Sequence, residues 1–446
     1  MSKTFTMSSI EFTKLLSKAY DQSESSEKPT ILQFTTPINK SIDSLYKNIP
    51  TQKNMFYMKF PDNSETYFGI GKIVSHQINS KKELSMIKNK EYSTISNTKE
   101  PLQFFGGVSF NLDIKRSYPW NNIHSGEFFI PKILLKEKKL KTTITYSRYI
   151  DGSVLKSSII RDYKNSIAAV QEASSTSSQK IPDIVINKHS VNRKNYLKVV
   201  EDVISTIKKT ALEKVIISRL IKYNMNHNLS VASFIKHLNK EHANCFNFFI
   251  CFDKKTTFIG STPERLISLY NKSYAIDAIA GSASDKENLQ STKEMDEHNY
   301  VVDHVKNTMD SISANIEIPS KPKTLMLKYI NHLKTPISGI LKKKIHILDI
   351  IATLYPTPAL LGKKSSDALN IINKYEQNDR GWYGGAFGIY DTNGDGEFYV
   401  PIRSGLIKDK TLCLFSGSGI ISKSIAEMEE KETLLKLEHL LSYFKK

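Results

Sequence analysis

The chain has 446 residues, enough for one large domain or two ordinary ones, and its apolar share of 39% and charged share of 24% are those of a globular protein. No run approaches the roughly 18 consecutive apolar residues of a membrane-spanning helix. The net charge of +18 comes mostly from lysines dispersed along the chain. The dense spots, 136–141 and 342–344, lack interleaved aromatics, which argues against nucleic-acid binding and for a solvated basic surface that attracts anionic substrates.

The opening Met1-Ser-Lys-Thr-Phe-Thr-Met has no apolar stretch and no small-residue cleavage site, so no secretory signal is expected. Cys245, Cys251 and Cys413 have neither metal-ligand spacing nor a paired framework, which fits a reducing cytoplasm. Through residue 170, short apolar runs alternate with Asn, Ser, Lys and Gly turns, as in Phe56-Tyr-Met-Lys-Phe, Tyr67-Phe-Gly-Ile and Phe104-Phe-Gly-Gly-Val-Ser-Phe. These predict strands and hairpins. Ser174 to Ser178 reads as a polar connection.

Beyond Ser190 the patterns sharpen. Val199, Val200, Val203, Ile204 and Ile207 recur at helical spacing, and Lys214 to Leu220 reads as a buried strand. Strands are expected at Cys245–Phe252, Thr257–Gly260, Arg265–Tyr270 and Tyr274–Ile279, then a long helix over Ser291–Ile312. Gly385–Tyr390, Phe398–Ile407 and Thr411–Phe415 predict further strands, and Ala426–Tyr443 a closing helix. A strand-rich core with long helices at intervals makes the expected class α+β.

The closing helix carries the first chemistry. Glu429, Glu432 and Lys436 stand at i, i+3 and i+7 on one face. Two carboxylates one turn apart can hold a hard cation such as Mg2+, although the same residues would also suit a solvated face. Before them, Phe415-Ser-Gly-Ser-Gly-Ile-Ile reads as a strand entering a glycine turn, where Gly417 and Gly419 let backbone N–H groups approach an anion. Ala278-Ile-Ala-Gly-Ser ends a strand in Gly281 and the Ser282 hydroxyl, and Asp296 or Glu297 adds an acid at the start of the long helix. This mixture suits a small dicarboxylic acid bound through a metal. Asp391-Thr-Asn-Gly-Asp-Gly-Glu mimics a calcium loop, but the twelfth position is Ile402 where a bidentate Glu is required, so the segment is expected to be a hairpin turn.

In order, Glu213-Lys-Val-Ile-Ile-Ser-Arg, Phe258-Ile-Gly-Ser-Thr-Pro-Glu-Arg-Leu, Ala278-Ile-Ala-Gly-Ser, Asp296-Glu-His-Asn-Tyr-Val-Val-Asp, Leu354-Tyr-Pro-Thr-Pro-Ala-Leu, Arg380-Gly-Trp-Tyr-Gly-Gly-Ala-Phe-Gly, Val400-Pro-Ile-Arg-Ser, Ser416-Gly-Ser-Gly-Ile and Glu429-Glu-Lys-Glu-Thr with Lys436 resemble the chorismate-utilising enzymes, and among them the isochorismate synthases. The resemblance covers residues 194 to 446. It implies one large domain in which two facing antiparallel β-sheets form a core flanked by helices. Residues 1–185 would be a divergent N-terminal half, and 186–446 the chorismate-binding catalytic region.

The resemblance also implies roles. Mg2+ would be held by Glu297, Glu429 and Glu432 and would neutralise the ring carboxylate of chorismate. Gly281, Ser282, Gly417 and Gly419 would hold that carboxylate, Tyr383 and Arg403 the enolpyruvyl carboxylate, and Ala359, Leu360 and Lys436 would complete the substrate pocket. Arg suits a carboxylate because its planar fork matches both oxygens. Lys214 would be the base that activates water for attack at C2, and Glu264 the acid that releases the C4 hydroxyl; burial is the usual means of tuning such groups.

Lys214 stands where aminating relatives typically carry Gln, and Ala280 where a nucleophilic lysine would sit. Both favour water as nucleophile. Tyr355 replaces the His common before the Pro-Thr motif, while Pro358-Ala359-Leu360 is similar to isochorismate synthases. The expectation is therefore a soluble, monomeric isochorismate synthase. A salicylate synthase or an amine-transferring relative are the alternatives within the family, and a nucleic-acid-binding protein is the alternative outside it.

Overall fold

In the strand Met55–Lys59, Phe56 and Met58 enter one apolar cluster while Met55 and Tyr57 enter another, so both faces of the strand are covered. The period-2 alternation of side chains produces this division. The computed structural model describes residues 3–46, 49, 51–61, 65–172, 185–188, 193–283, 289–363 and 365–445. The polar stretch Ser174–Ser178 lies outside them.

Among the described residues the strands form a twelve-stranded and a ten-stranded sheet. Aromatic side chains zip the two together: Phe56 against Phe105 at 4.7 Å, Phe246 against Tyr399 at 4.4 Å and Phe248 against Phe387 at 4.9 Å between ring centroids. Rings of this size bury large apolar areas and dominate such a seam. The outer face of the larger sheet packs on helices Lys3–Ser25, Lys156–Glu172 and Val231–Glu241 through Phe12, Tyr163 and Phe234. A second outer layer is built from Arg193–Lys209, Thr292–Asp310 and Ile347–Leu354 through Val203, Val305 and Ile351. The α+β class and the facing sheets match the sequence-based expectation. One strand pair departs from it: Thr30–Gln33 runs parallel to Ser93–Ser96.

In both sheets a block of late strands meets a block of early strands at one ladder. Met55–Cys251 through Lys59–Asn247 is an antiparallel ladder, and Gln103–Val108 pairs with Ala386–Asp391. Neither sheet is complete without both halves of the chain.

Two expected elements differ. Phe398–Ile407 is not one strand. Gly396–Tyr399 belongs to the smaller sheet and Ser404–Lys408 to the larger, so the chain crosses between sheets at Val400–Arg403. Pro401 has no N–H for a ladder, and Arg403 takes φ +50°, outside the strand region. The glycine turn after Phe415 is also a strand: Thr411–Ile421 continues through Gly417 and Gly419 against Lys214–Asn224. The calcium-loop mimic is the expected hairpin, its Asp391 Oδ1 accepting the Asn393 and Asp395 N–H groups.

Candidate active site

The two longest ladder partners of the larger sheet frame the site. Lys214–Met225 pairs with Thr411–Ile421, which sets Ile216 opposite Gly419 and Ser218 opposite Gly417. At these positions the first strand turns its backbone outward. Lys214 C=O accepts from Lys363 N–H, Ile216 C=O accepts from Arg380, and Ser218 N–H donates to Glu376. In an antiparallel ladder the facing residues do likewise. Gly417 and Gly419 therefore present their backbone groups away from that strand, and Gly417 C=O accepts Lys436 Nζ at 3.0 Å. The amides expected from a turn are supplied by an unpaired strand edge.

That edge lines a pocket closed by Glu264, Gly281, Ser282, Glu297, Ala359, Leu360, Tyr383, Arg403, Glu432 and Lys436. The expected site residues thus converge, except two that stand behind the wall. Lys214 touches it through an ion pair with Glu297, 2.5 Å from Nζ to Oε1. Glu429 accepts from Ser424 Oγ at 2.7 Å.

Glu264 follows Pro263 at the end of the strand Thr256–Thr262 and is only 5% exposed. Burial, with Asp277 nearby, pushes its carboxyl up to about 8, against the opposing pull of Arg403 and Lys436. It is a carboxylic acid kept protonated at neutral pH. Arg403, 6% exposed, has no carboxylate partner among the described residues, and burial draws it down to about 10. Even so it stays cationic at neutral pH, and its neighbours are imidazoles. Nη1 donates to His439 Nδ1 at 3.3 Å and Nη2 to His332 Nε2. The crossing segment and its left-handed φ place this cation in the pocket.

Four acids offer the oxygen donors of a metal site. Glu294 and Glu297 come from the helix Thr292–Asp310, Glu429 and Glu432 from the helix Ala426–Leu441, each pair one turn apart. Burial raises Glu294 and Glu429, and each is raised further by its helix-mate, Glu297 and Glu432 respectively. For Glu297 burial acts in the same sense, but Lys214, Lys436 and Lys293 hold the carboxyl below its ordinary range. Four carboxylates that repel one another fit a hard dication with oxygen ligands. As placed, no three of the described acids and imidazoles stand close enough together to coordinate an ion. Glu297 and Glu432 are instead turned onto Lys214 and Lys436, the latter pair 2.6 Å apart.

Three residues that build or brace the pocket carry no role in the sequence-based expectation. Glu294 accepts Ser282 N–H at 2.7 Å and lines the pocket. Its signal was present, because Glu294 and Glu297 repeat the i, i+3 spacing of Glu429 and Glu432. His332 lies on the strand Asn331–Leu341 and bridges Ser282 Oγ, at 2.9 Å, to Arg403; a lone strand histidine carries no such signal. Arg380 donates to Leu360 and Ile216 carbonyls, 2.8 Å each, and ion-pairs with Glu376 at 2.5 Å, fixing the wall under Leu360. Tyr355 does not line the pocket. It is buried in the apolar layer beside Lys81, which donates to its carbonyl.

The chain matches the family model described as chorismate binding enzyme over residues 14–445. It is 29% identical over 414 residues to isochorismate synthase MenF of Bacillus subtilis, covering 87% of each chain. It is 32% identical over 249 residues to the salicylate biosynthesis isochorismate synthase of Pseudomonas aeruginosa, 53% of this chain and 52% of that one. Among solved structures, the menaquinone-specific isochorismate synthase MenF from Escherichia coli superposes with TM-score 0.77 at 20% identity, covering 96% of this chain and 100% of that one. The crystal structure of DhbC from Bacillus anthracis gives 0.71 at 21% identity, covering 90% of this chain and 99% of that one. At these identities the structural matches speak for the fold. No helix among the described residues is long and apolar enough to cross a membrane.

Proposed function

The chain belongs to the chorismate-binding enzymes, and on that premise we propose that it is an isochorismate synthase. The observation that carries this reading is the buried Glu264 carboxyl, protonated to about pH 8, in one pocket with an Arg403 cation that no carboxylate among the described residues cancels. The names of the relatives that match along most of the chain support it.

In this reading Arg403 and Tyr383 bind the enolpyruvyl carboxylate, and the free amides of Gly417 and Gly419 with Ser282 receive the ring carboxylate. Gly281, Ala359 and Leu360 shape the wall against the ring. Lys214 takes a proton from water as the water oxygen bonds to C2. The ring double bonds shift, the C4–O bond breaks, and Glu264 gives its proton to the departing hydroxyl. Atoms balance as an isomerisation. Lys214 acts as base only when its Nζ is released from Glu297. Glu297, Glu429 and Glu432 would hold Mg2+, whose charge would neutralise the ring carboxylate when bound.

Purified protein with chorismate and Mg2+ should form isochorismate without pyruvate, and EDTA should abolish the reaction. Pyruvate release would replace the reading with salicylate synthesis, and a requirement for ammonia would replace it with amination.

A further inference from the structure

Arg403 is a buried cation whose two close partners are both imidazoles. A guanidinium offers only donors, so each ring nitrogen that meets it must be an unprotonated acceptor. For His439 this places the ring proton on Nε2, a buried atom with no hydrogen-bond partner among the described residues. His439 belongs to the helix Ala426–Leu441, where Glu432, Lys436 and His439 follow at i, i+4 and i+7 and so share the face turned to the pocket. Behind it, His242 lies ring on ring at 3.4 Å and 17°. The His242 Nε2–H donates to the His439 carbonyl at 3.1 Å, and His242 C=O accepts from Asn247 at 3.1 Å. The acceptor ring thus has His242 against its face and Arg403 at its edge.

We propose that His439, braced by His242, is a positioning residue for Arg403: a neutral acceptor that aims the guanidinium into the pocket without neutralising its charge.

The choice of imidazole has a physical reason. A carboxylate at this place would form a strong charge-assisted pair with Arg403 and compete with the substrate carboxylate for the same fork. An apolar residue would leave Nη1 buried without an acceptor. A neutral ring satisfies the donor and leaves the cation uncancelled. Its surroundings keep it neutral. Burial lowers His439 well below the ordinary histidine range, and Arg403, His242 and His237 act in the same direction. Burial likewise draws His242 down to about 4. Glu264, the carboxyl whose charge would act on Arg403, is itself held protonated, so it does not supply the missing counter-charge.

The inference rests on the reading of Arg403 as a substrate-carboxylate ligand, and two measurements separate the two. In steady-state kinetics with chorismate and Mg2+, His439→Asn keeps a neutral oxygen near the Nδ1 position and should leave KM within about threefold of the wild type. His439→Asp has the same shape but adds charge, and should raise KM roughly tenfold or more with a smaller change in kcat. A residue that merely packs would give the same KM for the isosteric pair, and that result would overturn the proposal. In NMR of the 15N-histidine-labelled protein, which needs no turnover, His439 should be the neutral Nε2–H tautomer at pH 7. A proton on Nδ1 would refute the proposal whether or not chorismate is the substrate. A wild type that shows the Nε2–H tautomer but no turnover of chorismate would remove the functional reading and leave the arrangement of Arg403 standing.

Discussion

Lys214 Nζ and Glu297 Oε1 stand 2.5 Å apart, so the proposed base and a proposed metal ligand occupy each other. Either can work only when the other is released. Replacing Lys214 removes a cation that competes for Glu297. Lys214→Met is therefore expected to lose turnover while binding Mg2+ more tightly, on the order of several-fold in Kd by calorimetry. Weaker Mg2+ binding would show that the lysine supports the acids instead of competing with them.

Glu264 sets an upper pH limit. Its carboxyl must be protonated to serve as an acid, and burial puts its pKa at about 8. The rate should fall tenfold per pH unit well above that value. Stability follows the same sign. The folded pKa lies above the unfolded one, so the contribution is full below about 4.5 and is lost as pH rises through about 8. Glu264→Gln should abolish turnover and melt no lower than wild type at pH 7, and its advantage in Tm should grow at pH 9.

Gly419 tests the dependence of Lys214 on a clear strand edge. A Cβ there would lie 2.7 Å from Lys214 Cε and 3.2 Å from Nζ. Its φ is not positive, so the backbone accepts alanine. Gly419→Ala should fold normally by circular dichroism and lose about 10- to 100-fold in kcat through displacement of the lysine. Wild-type turnover would separate Lys214 from the chemistry.

The Arg380–Glu376 pair is buried on both sides. Arg380→Met leaves the Glu376 carboxylate unpaired and releases the Leu360 and Ile216 carbonyls. The loss should be about 3–5 kcal/mol in urea unfolding. Adding Glu376→Gln should recover part of it, because the uncompensated charge is then gone while an acceptor remains for Ser218. A double variant no better than the single would assign the cost to the carbonyl contacts alone.

Most strands and helices could be read from periodicity because burial imposes it. Val200, Val203 and Ile207 face one layer, and the alternate residues of Met55–Lys59 face two. The fold class and the ordered motifs from Glu213 to Lys436 were likewise legible, as local patterns of residue type. Where local chemistry was ambiguous, the reading failed in specific ways. Phe398–Ile407 is apolar at both ends and looks like one strand, although Pro401 and Arg403 in its middle mark the point where its halves part to different sheets. Gly417 and Gly419 look like a turn, because glycine permits either conformation.

The sequence by itself determined which side chains could carry the chemistry: the acids Glu264, Glu297, Glu429 and Glu432, the cations Lys214, Arg403 and Lys436, and the glycines beside them. Only the tertiary structure decided their states. It buried Glu264 until its acid form persists, paired Lys214 with Glu297, and surrounded Arg403 with neutral rings instead of carboxylates. The reason is that a side chain's charge and basicity depend on solvent exclusion and on partners distant in the chain, and these are set when the two sheets close and not by any neighbour in sequence.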